Sequence, residues 1–98
     1  MAIRVEGTID DELRLGLAAS GVRVVGLDEP GATALFAPGA TIARLTELAS
    51  QSLPVVTDVE PGDFEGLTAR VRAGVRDVIA RPARAEVLTR KLRRIGPA

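Results

Sequence analysis

Apolar residues along this chain switch repeatedly between a strand-like and a helix-like period. Ala2 to Val5 is a short first strand that Gly7 ends. Ile9, Leu13 and Leu17 then recur on one face of a helix closing near Gly21, with Thr8 and Asp11 as a capping-box-like pair at its start. Val22 to Leu27 is β-branched and predicts a second strand, Asp28 to Ala32 a turn around Pro30-Gly31, and Thr33 to Ala37 a third strand. After Pro38-Gly39, Ile42, Leu45 and Leu48 mark a helix over about Ala40 to Ser50. Leu53 to Val59 is the fourth strand, and Glu60-Pro61-Gly62 turns the chain toward an N-cap at Asp63. Phe64, Leu67 and Val71 line the next helix, which Gly74 stops; Val75 to Ala80 is the fifth strand. Leu88, Leu92 and Ile95 line a last helix, and Gly96-Pro97-Ala98 reads as the start of a linker.

Strands alternating with helices imply an α/β fold of three layers, a mostly parallel five-stranded sheet with helices on both faces. One connection breaks that scheme. Only Asp28 to Ala32 separates the second and third strands, so the crossover helix expected there is missing. Five extended residues span at most about 16 to 18 Å. Either the second strand is short and the link runs taut, or that edge is antiparallel. Part of one apolar sheet face then loses its cover, which suggests a partner or a self-contact there, unless the next helix shifts to fill the gap.

Ninety-eight residues make a single domain, 1–98, with one small core. Thirteen basic residues balance thirteen acidic ones, so no net field draws the chain to nucleic acid or to an acidic membrane. The absence of cysteine and histidine removes disulfides, thiolates, the commonest metal ligands and the commonest general base. Two phenylalanines, Phe36 and Phe64, are the only aromatics, too few for a base-stacking platform. The N-terminus lacks a signal-peptide pattern and no apolar run approaches the ~20 residues of a membrane span, so a cytoplasmic location is expected.

From Leu53 onward the chain resembles the second half of a receiver domain of bacterial response regulators, on Leu53-Pro54-Val55-Val56, Ala73-Gly74, Asp77-Val78-Ile79 and Arg81-Pro82. The resemblance implies a receiver-like, flavodoxin-like fold and allows the family's chemistry to be sought position by position. The phosphoacceptor aspartate should end the third strand, where Leu35-Phe36-Ala37-Pro38 offers no carboxylate. An acidic pair holding magnesium should follow the first strand, where Glu6-Gly7 supplies one acid. The hydroxyl that reports phosphate falls near Val59, and the switch aromatic at Val78. Arg81 keeps the positive charge of the family's lysine, and Pro82 the proline whose bond is cis in the family. The resemblance thus implies a pseudo-receiver, a fold without its phosphorylation switch, with Glu6, Ala37, Val59, Arg81 and Pro82 around the degenerate pocket.

Other polar groups carry simpler readings. Asp10, Asp11 and Glu12 suit a helix first turn better than a metal site, and no metal is expected. Thr57 or Asp58 faces the old pocket rim, most simply as a strand-end hydrogen bond. Arg90-Lys91 and Arg93-Arg94 complement the negative end of the last helix. No glycine-rich phosphate loop is present, no nucleophile stands with its base, and no helix-turn-helix follows, so neither an enzyme, a cofactor nor a nucleic-acid partner is indicated.

A protein–protein interaction role remains. In the receiver family the fourth helix, fifth strand and fifth helix commonly pair two domains. Here that surface draws on Arg70, Arg72, Asp77, Arg84, Glu86, Arg90, Lys91 and Arg94, and the partner is another protein or a second copy in a homodimer. Similar degenerate receivers stand at the N-terminus of localisation ATPases of the MinD/ParA type. The alternative is a sensor in which the vacated pocket binds a small anion or nucleotide, anchored by Arg81.

Overall fold

The computed structural model describes residues 1–95; the linker expected at Gly96 to Ala98 lies outside the described residues. Five strands, β1 (Ala2–Val5), β2 (Arg23–Val25), β3 (Ala32–Phe36), β4 (Val55–Val59) and β5 (Asp77–Ala80), form one sheet in the order β2-β1-β3-β4-β5. Every pairing is parallel. Four helices, α1 (Asp11–Ala19), α2 (Ile42–Ala49), α3 (Phe64–Ala73) and α4 (Ala85–Ile95), alternate with the strands except between β2 and β3. This is the three-layer parallel α/β architecture expected from the alternation. Among the described residues no helix is long and apolar enough to cross a membrane.

The direction of β2 follows from its length. β2 is three residues, not six, and parallel to β1, with Val25 level with Arg4 while β3 enters level with Ala2. Residues 26–31 therefore cross two strand spacings, about 9.6 Å, while falling back about 7 Å along the sheet. The diagonal of about 12 Å lies within the roughly 20 Å that six residues can span. The short β2 therefore lets the link return in parallel without a helix.

The link also changes what covers the sheet beside β1. Instead of a bare apolar patch, the face there carries Arg4, half-buried, which donates to the Glu29 carbonyl at 3.4 Å. Ala2 and Val25 on the same face are buried, and the exposed member is polar Arg23. A chain segment and a long arginine stem replace the missing helix.

Two apolar layers result. Under α1 and α4, Ile3, Ala34, Phe36, Val56 and Ile79 meet Leu13, Leu17, Leu88 and Leu92. Under α2, Leu35, Ala37 and Val55 meet Leu45, Leu48 and Val75. Two local details differ from the periodicity. The α1 cap is Asp10, whose carboxylate accepts from Leu13 N–H at 2.7 Å, because Ile9 stays outside the helix and packs on the core. α2 begins behind a Thr41 cap.

α1 and α4 approach closely because Gly16 has no side chain: a Cβ there would lie 2.6 Å from the Ala85 Cβ. Gly16→Val should destabilise the protein by about 2 kcal/mol through overpacking, read as a lowered urea midpoint at unchanged slope.

Candidate functional site

An open cleft of about 520 Å³ lies beyond the carboxyl ends of the strands, where doubly wound sheets bind ligands. The β1–α1 connection supplies Thr8, Ile9 and Asp10, the end of β3 Phe36 and Pro38, the end of β4 Asp58, Glu60 and Pro61, and the segment after β5 Arg81, Pro82 and Ala83. The Arg81-Pro82 bond is cis.

Asp58 organises this cleft. Strand alternation that turns Val56 toward α1 and α4 turns Asp58 the same way, and its nearly buried carboxylate needs partners. It accepts from the Gly39 N–H at 2.8 Å and from Arg81 through Nε at 3.1 Å and a second guanidinium nitrogen at 3.2 Å. Arg81 also reaches Glu60 at 2.8 Å. The bond to Asp58 first, then that to Glu60, raises the Arg81 pKa above its ordinary value. From α3, Arg70 Nε donates to the Asp58 carbonyl at 2.7 Å. Thr57, turned to the opposite face, is buried and donates to the Ala37 carbonyl at 2.7 Å.

The expected pocket residues separate on this geometry. Arg81 and Pro82 line the cleft; Ala37 and Val59 are buried and do not. Period-two alternation sends Ala37 into the layer under α2, and it places Asp58 rather than Val59 at the rim. Glu6 turns away to α2, where Arg44 grips both carboxylate oxygens, at 2.7 and 2.6 Å. That hydrogen bonding is the main reason the Glu6 pKa lies below its ordinary value of 4.5, with partial burial opposing it. Among the described residues no three carboxylates come together as a metal site. The anion reading meets an obstacle as well: Arg81 is already engaged by two carboxylates, and Asp10 adds a third acid to the lining.

The charges expected on one interaction surface divide among three. Arg70 points inward, to the Asp58 carbonyl and to the Gly66 carbonyl at 2.9 Å. Lys91 pairs with Asp77 at 3.2 Å and, with Arg84 and Val87, borders a depression against β5. Glu86 and Arg90 border a different depression with Ser20 and Arg93 on the α1 side. Helical spacing is the cause, since Glu86 and Arg90 stand well over a quarter-turn from the Arg84–Lys91 row. Arg72 and Arg94 are exposed.

What charge patterning missed is the apolar face of α3. Phe64, Leu67 and Val71 share one face as the periodicity predicts, but it turns to solvent: they are 76%, 37% and 58% exposed. The half-buried side of α3 carries Gly66, Ala69 and Ala73, with Arg70. Small residues let the helix lie close, and α3 buries no large apolar side chain at all.

No protein-family model matches the sequence, nor does any curated protein. Solved structures do. A CheY-like protein, tadZ, from Pseudomonas aeruginosa superposes with a TM-score of 0.72 at 26% identity, over 97% of this chain and 98% of that one. This chain has the receiver fold of CheY-like proteins. NtrX from Brucella abortus matches in two structures, one in complex with ADP, with TM-scores of 0.67 and 0.70 at 23% and 22% identity. Those matches cover 95% and 96% of this chain but 26% of NtrX. Against the receiver arrangement, the groups that would hold magnesium do not fit: Glu6 faces Arg44, and no carboxylate ends β3.

Asp58→Ala should cost about 2 kcal/mol by removing the acceptor that the Gly39 N–H and the Arg81 guanidinium share, while Asp58→Asn, which keeps an acceptor there, should cost less; urea titrations of the two compare them. For Glu6 the depressed pKa gives the sign. Its contribution is present above pH 4.5 and is lost as pH falls through the folded-state value. Wild type should therefore exceed Glu6→Gln in stability at neutral pH, and the difference should vanish in acid and shrink with salt.

Proposed function

We propose that this receiver-fold domain is a cytoplasmic protein–protein interaction module of bacterial signalling or protein localisation, working without phosphorylation and through the side formed by α3, β5 and α4. One observation carries the reading. A helix that hides glycine and alanine while exposing Phe64, Leu67 and Val71 places its binding energy outside the fold, as docking surfaces do. Beside it, Arg84, Val87 and Lys91 border a second depression against β5.

The cleft supports the same reading from the other side. Phosphotransfer needs an acceptor carboxylate and a metal-binding pair, and the one nearly buried carboxylate among the described residues, Asp58, is held by Arg81 and Gly39. A nucleotide or phosphate would have to displace Asp58 from Arg81, which favours contact over ligand sensing and over catalysis. Degenerate receivers of localisation ATPases offer a setting for such a module.

Incubation with acetyl phosphate and magnesium should leave the intact mass unchanged, and beryllium trifluoride with magnesium should not shift the melting temperature. A phosphoryl adduct, or a saturable rise in melting temperature, would overturn phosphorylation independence.

A further inference from the structure

Three threonines lie within helices, and one of them is unlike the others. Thr46 and Thr68 each donate to the carbonyl four residues back, of Ile42 and Phe64, at 2.9 Å. Thr89 on α4 makes no such bond. It is 6% exposed, and its buried Oγ1 has no hydrogen-bond partner among the described residues. A buried hydroxyl without a partner weakens the fold that holds it, and so points to a group from outside that completes it.

Thr89 lines a depression of about 420 Å³ between α1 and α4, with Ser20, Glu86, Arg90 and Arg93. Ala85, Thr89 and Arg93 form the row of α4 that faces α1: Ala85 lies against Gly16, and Arg93 donates to the Ser20 carbonyl at 2.7 Å. Arg90 and Arg93 are exposed, and neither has an ion-pair partner among the described residues, although Glu86 stands one turn from Arg90. Two guanidinium groups therefore border the depression against one carboxylate. It shares no lining residue with the carboxyl-end cleft or with the depression against β5.

We propose that this depression binds a phosphate group, free or as the monoester of a small molecule, held by Arg90 and Arg93 with the Thr89 hydroxyl donating to one of its oxygens. Guanidinium forks suit phosphate oxygens, and Arg93 has more donors than the Ser20 carbonyl uses. Both arginines are long and exposed, so they can close on the anion while turning aside enough for one oxygen to reach Oγ1. A tetrahedral anion presents acceptors to all three donors. A planar carboxylate, with both oxygens taken by one fork, leaves the hydroxyl unserved. Glu86 opposes binding, and the site is open, so the Kd for inorganic phosphate is on the order of 1 mM.

Titrating the isotope-labelled whole chain with inorganic phosphate at constant ionic strength, followed through its amide resonances, tests this. Saturable shifts should gather at Ser20, Thr89, Arg90 and Arg93, and acetate should produce none. Glycerol phosphate separates the sources: equal binding identifies a monoester as an acceptable ligand, and its failure beside phosphate binding identifies the free ion. Arg90→Gln should weaken binding by about tenfold, and Glu86→Gln should tighten it. Thr89→Val should weaken it by about threefold or more without lowering the melting temperature, because a methyl group replaces a hydroxyl that had no partner. Thr89→Ser should retain binding. Shifts that never saturate, or that gather at Gly39, Asp58 and Arg81 instead, overturn the inference. So does acetate acting as well as phosphate, or Thr89→Val binding like wild type.

Discussion

A nearly buried carboxylate at the end of β4 sets the terms for this domain. The Asp58 carboxylate, drawn this far out of water, needs hydrogen-bond partners. Those it finds come from three directions: a main-chain N–H after β3, a guanidinium after β5, and, at its carbonyl, a second guanidinium from α3. The ends of three strands and one helix are joined at one residue. The same bonds occupy the cleft's arginine, since Arg81 holds Asp58 and Glu60.

The orientation of α3 is coupled to that arrangement. Arg70 must face the sheet to reach Asp58, and the residues sharing its side, Gly66, Ala69 and Ala73, are small enough to let the helix approach. Phe64, Leu67 and Val71 are consequently outside. On the other side of the molecule economy of chain has a different effect. A three-residue β2 leaves a diagonal short enough to cross without a helix, and Arg4 under the link takes the place of an apolar layer. One deviation from the regular α/β pattern is thus closed by a polar side chain, the other left open as apolar surface.

Local pattern carried most of the architecture. Alternation of period placed five strands and four helices, and the caps at Asp63 and Gly74 lay where the residue types put them. Identity alone showed that no carboxylate ends β3. The shortness of the link between β2 and β3 announced the missing helix, though not whether β2 ran parallel. That depended on how soon β2 stops.

The sequence by itself determined which residues share a face and the order and type of the elements, since both follow from the geometry of three or four neighbouring residues. The ends of β2 and the start of α1 did not follow from it. Only the tertiary structure decided which face turns inward. Apolar spacing in α3 is the same whether the stripe meets the core or the solvent, and the choice lies with Arg70, reaching a carbonyl twelve positions away. Glu6 is claimed by Arg44, thirty-eight positions distant, and Asp58 by Arg81, twenty-three away. Half-buried charges are satisfied by whatever the fold brings near them, and that partner is set by the packing of the whole sheet, beyond the reach of any local window.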